Sequence, residues 1–169
     1  MKTLRLAFIF ALSVTLYSCG GDEKKSDKEK VKIGTKKQSS KTNDAKEIEV
    51  KITGNDQMQF NVKVIRVKEG QKVTLVLEHI GKMKVNIMGH NFVLLKQGID
   101  IGTFGSQASA AKDTDYIPND GNDVIAHTKM IGGGETTSVT FDAPPKGEYD
   151  FICSFPGHYG LMQGKFIVE

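Results

Sequence analysis

From Glu47 onward the chain alternates apolar and polar side chains with period two. Ile48, Val50 and Ile52 are separated by charged residues, the pattern of a half-buried strand. Val62, Val64 and Ile65, then Val73, Leu75 and Leu77, repeat it on either side of the turn Lys68-Glu69-Gly70. Apolar runs at 92–95, 138–141, 149–152 and 166–168 predict further strands, and Pro-Pro-Lys-Gly at 144–147 predicts a turn. Short strands punctuated in this way predict an all-β antiparallel sandwich. One stretch breaks the pattern. Residues 98–111 are rich in Ala, Gly and Ser and do not alternate, so they read as a short helix or loop outside the sandwich.

The first 46 residues are patterned differently. Lys2 and Arg5 precede an almost wholly apolar run of about eleven residues at 6–16, too short for the roughly 20 that cross a bilayer. It ends in Leu16-Tyr17-Ser18-Cys19, so residues 1–18 read as an export signal. Its ending resembles a bacterial lipobox, which marks Cys19 for lipidation after cleavage. Residues 20–46 hold nine lysines and five acidic residues, with only Val31, Ile33 and Ala45 apolar. Such a segment buries too little apolar surface to offset its ordering entropy and reads as a disordered tether, spanning roughly 30 Å as a random coil. The expected organisation is therefore a signal at 1–18, a lipidated Cys19 and tether at 19–46, and one domain at 47–169.

Charge narrows the partners. The whole chain carries +3, but residues 47–169 have twelve basic and fifteen acidic residues. A mildly acidic body excludes a nucleic-acid partner, and the basic bias of the tail suits an anionic membrane surface. Gly20, rather than Asp, after Cys19 favours the outer membrane, on the periplasmic side.

Cysteine use narrows the chemistry. Of the two cysteines, lipidation takes Cys19 and leaves Cys153 as a lone thiol in an oxidising compartment. Its neighbours explain it: His158 follows five residues later and Met162 four after that, in Cys153-Ser-Phe-Pro-Gly-His158-Tyr-Gly-Leu-Met162. Two imidazoles and a thiolate with a weak thioether suit a one-electron Cu(I)/Cu(II) centre, because both oxidation states accept that geometry. A tight loop between two strands can aim all three side chains at one point. The second imidazole must come from elsewhere, and His90, in Met88-Gly89-His90-Asn91, is the best candidate.

Several blocks carry a resemblance: 54–61 (Gly-Asn-Asp-Gln-Met-Gln-Phe-Asn), 88–91, 124–132 (Val-Ile-Ala-His-Thr-Lys-Met-Ile-Gly), 138–142 (Ser-Val-Thr-Phe-Asp) and the Cys153–His158–Met162 loop. In order and spacing they resemble the azurins, blue type 1 copper proteins of the cupredoxin family, over residues 47–169. The resemblance implies a cupredoxin Greek-key β-sandwich or barrel with a short helical insertion. It makes Cys153, His90 and His158 equatorial copper ligands, Met162 the axial thioether and the Gly89 carbonyl a distant opposite contact. Asn91 is expected to hydrogen-bond across the two ligand loops and to donate its N–H to the Cys153 sulfur, and Phe155 to keep the metal dry. Met58, Met83, Met88, Pro156 and Leu161, with Phe155, would form an apolar docking patch around His158. Lys82 and Lys84, beside Met83, would give that patch a basic rim and favour a partner with some acidic surface. His79 resembles a family histidine near the copper that responds to pH, with a hydrogen-bonded interior histidine as the alternative. His127 matches a surface histidine.

The function implied is transfer of single electrons between redox proteins in the bacterial cell envelope, such as c-type cytochromes or copper or haem reductases, by a monomer with no enzymatic turnover. A multicopper enzyme needs more histidines than the four present. A copper storage or delivery protein would show exposed Met-rich or Cys-rich motifs. A metal-free adhesive sandwich leaves the Cys-His-Met loop unexplained. The chain departs from the azurins in having Ile48 and Gln71 where a disulfide is common, and Phe92 where a tryptophan often follows His-Asn.

Overall fold

The computed structural model describes residues 46–169. The export signal, Cys19 and most of the tether therefore lie outside the described residues. Within them, nine strands form two facing sheets. β1 (Glu47–Asn55), β2 (Gln59–Phe60), β4 (Lys72–His79) and β7 (Thr136–Asp142) make one, in the order β2-β1-β4-β7. β3 (Val64–Val67), β9 (Gln163–Val168), β8 (Gly147–Ile152), β5 (Val93–Leu95) and β6 (Val124–His127) make the other, in that order. Two short helices, α1 (Val85–Met88) and α2 (Ile101–Ala108), lie in the connections. No helix among the described residues is long and apolar enough to cross a membrane.

Alternation in the sequence becomes alternation in burial. Along β4, Val73, Leu75, Leu77 and His79 point inward and are completely buried, while the residues between them face outward. From the opposite sheet Phe151 and Phe166 meet them, with Phe60 and Phe92 tilted against Phe151 at centroid distances of 5.9 and 5.5 Å. The run at 92–95 fails to alternate because β5 is buried on both faces. Leu94 joins the inter-sheet core, whereas Val93 and Leu95 pack under α2 with Phe104, Ala108 and Ile152. α2 starts where the Asp100 carboxylate accepts from the Thr103 N–H at 2.8 Å, an N-cap that fixes this insertion against the sheet.

The expectation of a purely antiparallel sandwich needs correction. β1 runs parallel to β4, with Ile48 opposite Val73, and β3 runs parallel to β9, with Ile65 opposite Phe166. The cause is the route of the chain: after β1 and β2 it crosses to the other sheet for β3, then returns to pair β4 with β1. Alternation alone says which face is buried, not which way a neighbour runs. Val62 lies outside β3, and β2, β6 and α1 are additional to the strands read from the sequence.

Leu75 is the centre of this packing, fully buried between the registers Val50–Leu75 and Leu75–Val139. Leu75→Ala should lower the free energy of unfolding by about 2–5 kcal/mol, through lost burial plus the cavity left behind. Denaturant titration of the metal-free protein checks this, and a loss well under 1 kcal/mol would mean the two sheets are not packed through this residue.

Candidate metal centre

Three elements converge at one end of the sandwich. Cys153 directly follows β8, His158 lies in the turn leading to β9, and His90 follows α1 and is paired by an isolated antiparallel bridge to Ile131. One ligand atom from each lies within 4.8 Å of the others, and all three residues are buried. The Cys153 sulfur is 3.9 Å from His90 Nδ1, 3.7 Å from His158 Nδ1 and 3.8 Å from the Gly89 carbonyl oxygen. A metal ion bonded at about 2.0–2.3 Å, the usual lengths to imidazole nitrogen and thiolate sulfur, fits among atoms so spaced.

Each candidate ligand is held by a specific contact. His90 Nε2–H donates to the Asn55 carbonyl at 2.9 Å, which leaves Nδ1 as the free lone pair facing Cys153. Its ring stacks on His79 at 4.2 Å and 21°, and Gly54 leaves room for it: a Cβ there would stand 2.6 Å from His90 Cδ2. Gly89 is a glycine for the same reason, since a Cβ would meet the Val85 carbonyl oxygen at 2.6 Å and Phe155 Cδ2 at 2.8 Å. Met162 is fully buried in the same core as Cys153 and Phe155. Its N–H donates to the His158 carbonyl at 2.8 Å and its carbonyl accepts from the Cys153 N–H at 2.9 Å. The ligand loop is thereby closed on itself.

Asn91 ties the two loops together. Its Oδ1 accepts from the Ser154 N–H at 2.8 Å, and its Nδ2 donates to Ser154 Oγ at 2.8 Å and to the Asp115 carbonyl at 3.2 Å. Its own backbone N–H donates to the Cys153 sulfur, as does that of Phe155. Phe155 packs its ring 4.6 Å from His158 and is itself covered edge-on by Tyr116 at 5.4 Å.

Electrostatics follow from this dryness. Burial pushes the Cys153 thiol up to about 12, although the Asn91 and Phe155 N–H groups pull the other way. Burial likewise pushes His158 down to about 4, with further repulsion from His90 and His79, and it lowers His90 against the opposing bond to Asn55. At neutral pH both ligand imidazoles therefore keep their lone pairs. The thiol needs a cation beside it to ionise.

The two histidines differ at their outer edges. His90 Nε2 is tied to Asn55, but among the described residues His158 Nε2 has no hydrogen-bond partner. Among the described residues no buried side-chain nitrogen or oxygen lacks a partner, so that nitrogen must touch solvent. Around this end Met83, Val85, Ile87 and Leu161 are exposed, by 43, 41, 58 and 57%. Met58, Met88 and Pro156 are half-buried, and Phe155 is buried beneath them rather than part of the surface.

The other two histidines lie apart from the cluster of ligand atoms. His79 accepts from the Gly81 N–H at Nδ1 (3.0 Å) and reaches the Met88 carbonyl through Nε2 (2.8 Å), the hydrogen-bonded interior arrangement. His127 is exposed, on the wall of an acidic depression with Asp113, Asp115 and Asp120. The sequence reading missed Asn55, Gly54, Ser154, Val85 and Ile87. Asn55 and Gly54 act through backbone or shape and leave no signal in residue chemistry, while Ser154 acts through both its N–H and its hydroxyl. Val85 and Ile87 did leave one, since with Met83 they alternate with Lys82, Lys84 and Asn86 where no strand follows.

Residues 46–169 match the family model for copper binding proteins of the plastocyanin/azurin family. Azurin-1 of Alcaligenes xylosoxydans xylosoxydans is 48% identical over 122 residues, 70% of this chain and 95% of that protein. Azurin of Pseudomonas aeruginosa is 47% identical over 129 residues, 74% and 87%. Outer membrane protein H.8 of Neisseria meningitidis serogroup B is 48% identical over 118 residues, 68% and 63%. Among solved structures, auracyanin A, a "blue" copper protein of Chloroflexus aurantiacus, superposes with a TM-score of 0.67 at 32% identity, over 73% of this chain and 99% of its own.

The thiol at about 12 sets the proton balance of metal uptake. At neutral pH Cu(II) uptake should release one proton per site from Cys153, read as acidification of weakly buffered solution. With His158 titrating at about 4, affinity should fall with one-proton slope as pH drops, and more steeply once pH reaches about 4, where the imidazole also competes. Uptake by the unaltered protein without proton release would overturn this account of the thiol.

Proposed function

The chain belongs to the plastocyanin/azurin family of copper-binding proteins, and from that premise we propose how its own residues carry a single electron. It is a type 1 copper electron-transfer protein and an electron carrier, not an enzyme. Copper, when bound, supplies the one-electron couple Cu(I)/Cu(II).

His90, Cys153 and His158 would hold the metal through their side chains, with the Met162 thioether and the Gly89 carbonyl as weaker contacts. The observation that carries this assignment is the buried sulfur flanked by two Nδ1 atoms at 3.9 and 3.7 Å. Two loops locked by Asn91 and Ser154 resist rearrangement between oxidation states, which suits rapid one-electron exchange. The N–H groups of Asn91 and Phe155 stabilise the thiolate, and Phe155 excludes water.

Electrons leave and enter through His158, whose outer nitrogen meets solvent. The surrounding patch is Met58, Met83, Met88, Pro156 and Leu161, extended by Val85 and Ile87. A small apolar contact suits a carrier that must bind briefly, since redox encounters bury little area. Lys82 and Lys84 are exposed on its rim, and their side chains have no ion pair among the described residues. They favour a partner with carboxylates around an apolar centre, such as a c-type cytochrome or a copper or haem reductase. A signal at 1–18, Cys19 as a lipid anchor and a tether up to residue 46 place the domain in the periplasm on a leash. The likeness to a protein named as outer membrane supports that membrane as the anchorage.

Adding Cu(II) to the metal-free protein should give an intense blue colour that ascorbate bleaches reversibly, and Cys153→Ser should abolish it. Met162→Leu should keep the colour and raise the reduction potential, because loss of the thioether favours Cu(I). A colourless copper complex of the unaltered protein would sink the assignment, and a lowered potential in Met162→Leu would overturn the axial role.

Lys82→Glu with Lys84→Glu should leave the spectrum unchanged and invert the salt dependence of electron transfer to an acidic partner. An unchanged salt dependence would remove the rim from the docking site.

A further inference from the structure

Lys63 lies just before β3, about a hundred residues from the ligand loop in sequence, yet its ammonium group sits on that loop. Nζ donates to the Leu161 carbonyl at 2.9 Å and to the Gln163 carbonyl at 3.2 Å, one on each side of Met162. The first contact is the informative one. The peptide unit joining Leu161 to Met162 has its N–H on the His158 carbonyl at 2.8 Å and its oxygen on Lys63. That unit is therefore pinned at both ends, and the Met162 carbonyl is held in turn by the Cys153 N–H at 2.9 Å. The orientation of these peptide planes fixes the direction of the Met162 Cα–Cβ bond and so where its thioether can reach.

We infer that Lys63 is a positioning residue for the Met162 thioether, acting through the Leu161–Met162 peptide. The inference rests on the axial role proposed above for Met162. Nothing else in the described structure holds the Leu161 oxygen, and the Leu161 side chain is 57% exposed. Without Lys63 that oxygen would turn to water and the peptide would be held only from its N–H end. Charge-assisted bonds from a lysine are stronger than neutral ones, so a single residue can set this plane. Lys63 also places a positive charge on the ligand loop, an effect that must be separated from positioning. Positioning depends on what side chain occupies position 162, and charge does not.

The experiment uses Lys63→Met and Lys63→Arg, each alone and combined with Met162→Leu, in the full chain. Lys63 is exposed, and its backbone carbonyl, which accepts from the Lys165 N–H at 2.8 Å, is untouched by either change, so β3 and β9 stay paired. In the metal-free protein Lys63→Met should speed amide hydrogen exchange several-fold at Met162 and Cys153, with the β4 amides unchanged, and Lys63→Arg should restore protection. In the copper-loaded protein the reduction-potential shift caused by Lys63→Met should differ between the Met162 and Met162→Leu backgrounds. Equal shifts in both backgrounds would leave only a charge effect and overturn the inference, as would unchanged exchange. A Met162→Leu variant with an unshifted potential would instead remove the axial role, and the purpose of the clamp with it.

Discussion

A thiol enclosed where water cannot solvate its anion is the constraint on which the rest of the site depends. Burial carries Cys153 to about 12, far from ionisation at neutral pH, and two backbone N–H groups aimed at the sulfur do not reverse that. Only a cation beside it can, and everything near the sulfur is arranged for one. Both neighbouring imidazoles are kept unprotonated by the same dryness that penalises the thiolate. One physical cause, desolvation, thus prepares the two nitrogen donors and creates the demand that a metal satisfies.

The sandwich makes this constraint tolerable by building it on rigid elements. Cys153 comes off the end of β8 and Met162 leads into β9, and the two strands are paired from Gly147–Val168 to Ile152–Gln163. A loop returned so tightly can close on itself, and it does, through the bonds of Met162 to His158 and Cys153. His90 is delivered from another segment by the bridge to Ile131 and kept in place by Asn55, Gly54 and His79. Because Asn91 and Ser154 bond in both directions across the loops, neither ligand group can shift alone. Such coupling is what a one-electron centre needs, since geometric change on each transfer would slow it.

Much of this was legible in the sequence, for identifiable reasons. Cys153 and His158 are close in the chain and use their side chains, so spacing and chemistry sufficed to bring them forward as a pair that the structure sets side by side. His90 has no local mark of ligation and becomes the candidate only because the Cys153 loop calls for a second imidazole. The strand around Val73, Leu75 and Leu77 was visible as alternation, and the last one as an apolar run at 166–168. The parallel pairing of β1 with β4 was not, because direction depends on where the chain crosses between sheets. Asn55 escaped notice because it contributes a carbonyl, and any residue has one. Lys63 escaped because its role depends on contacts with residues 161 and 163 that no periodicity encodes.

The two histidines divide the labour in a way their environments explain. His90 is stacked on His79, closely approached by Gly54 and bonded at its outer nitrogen, so its ring is held in place. His158 has Phe155 against its ring but leaves Nε2 to solvent. A carrier with both histidines buried would hold its metal well and exchange electrons slowly, while one with both exposed would lose the dryness that its thiolate and imidazoles require. Enclosing one and uncovering a single edge of the other satisfies both demands. The proposed docking patch, with Met83 and Leu161 exposed, would let a partner approach closely without admitting water to the metal.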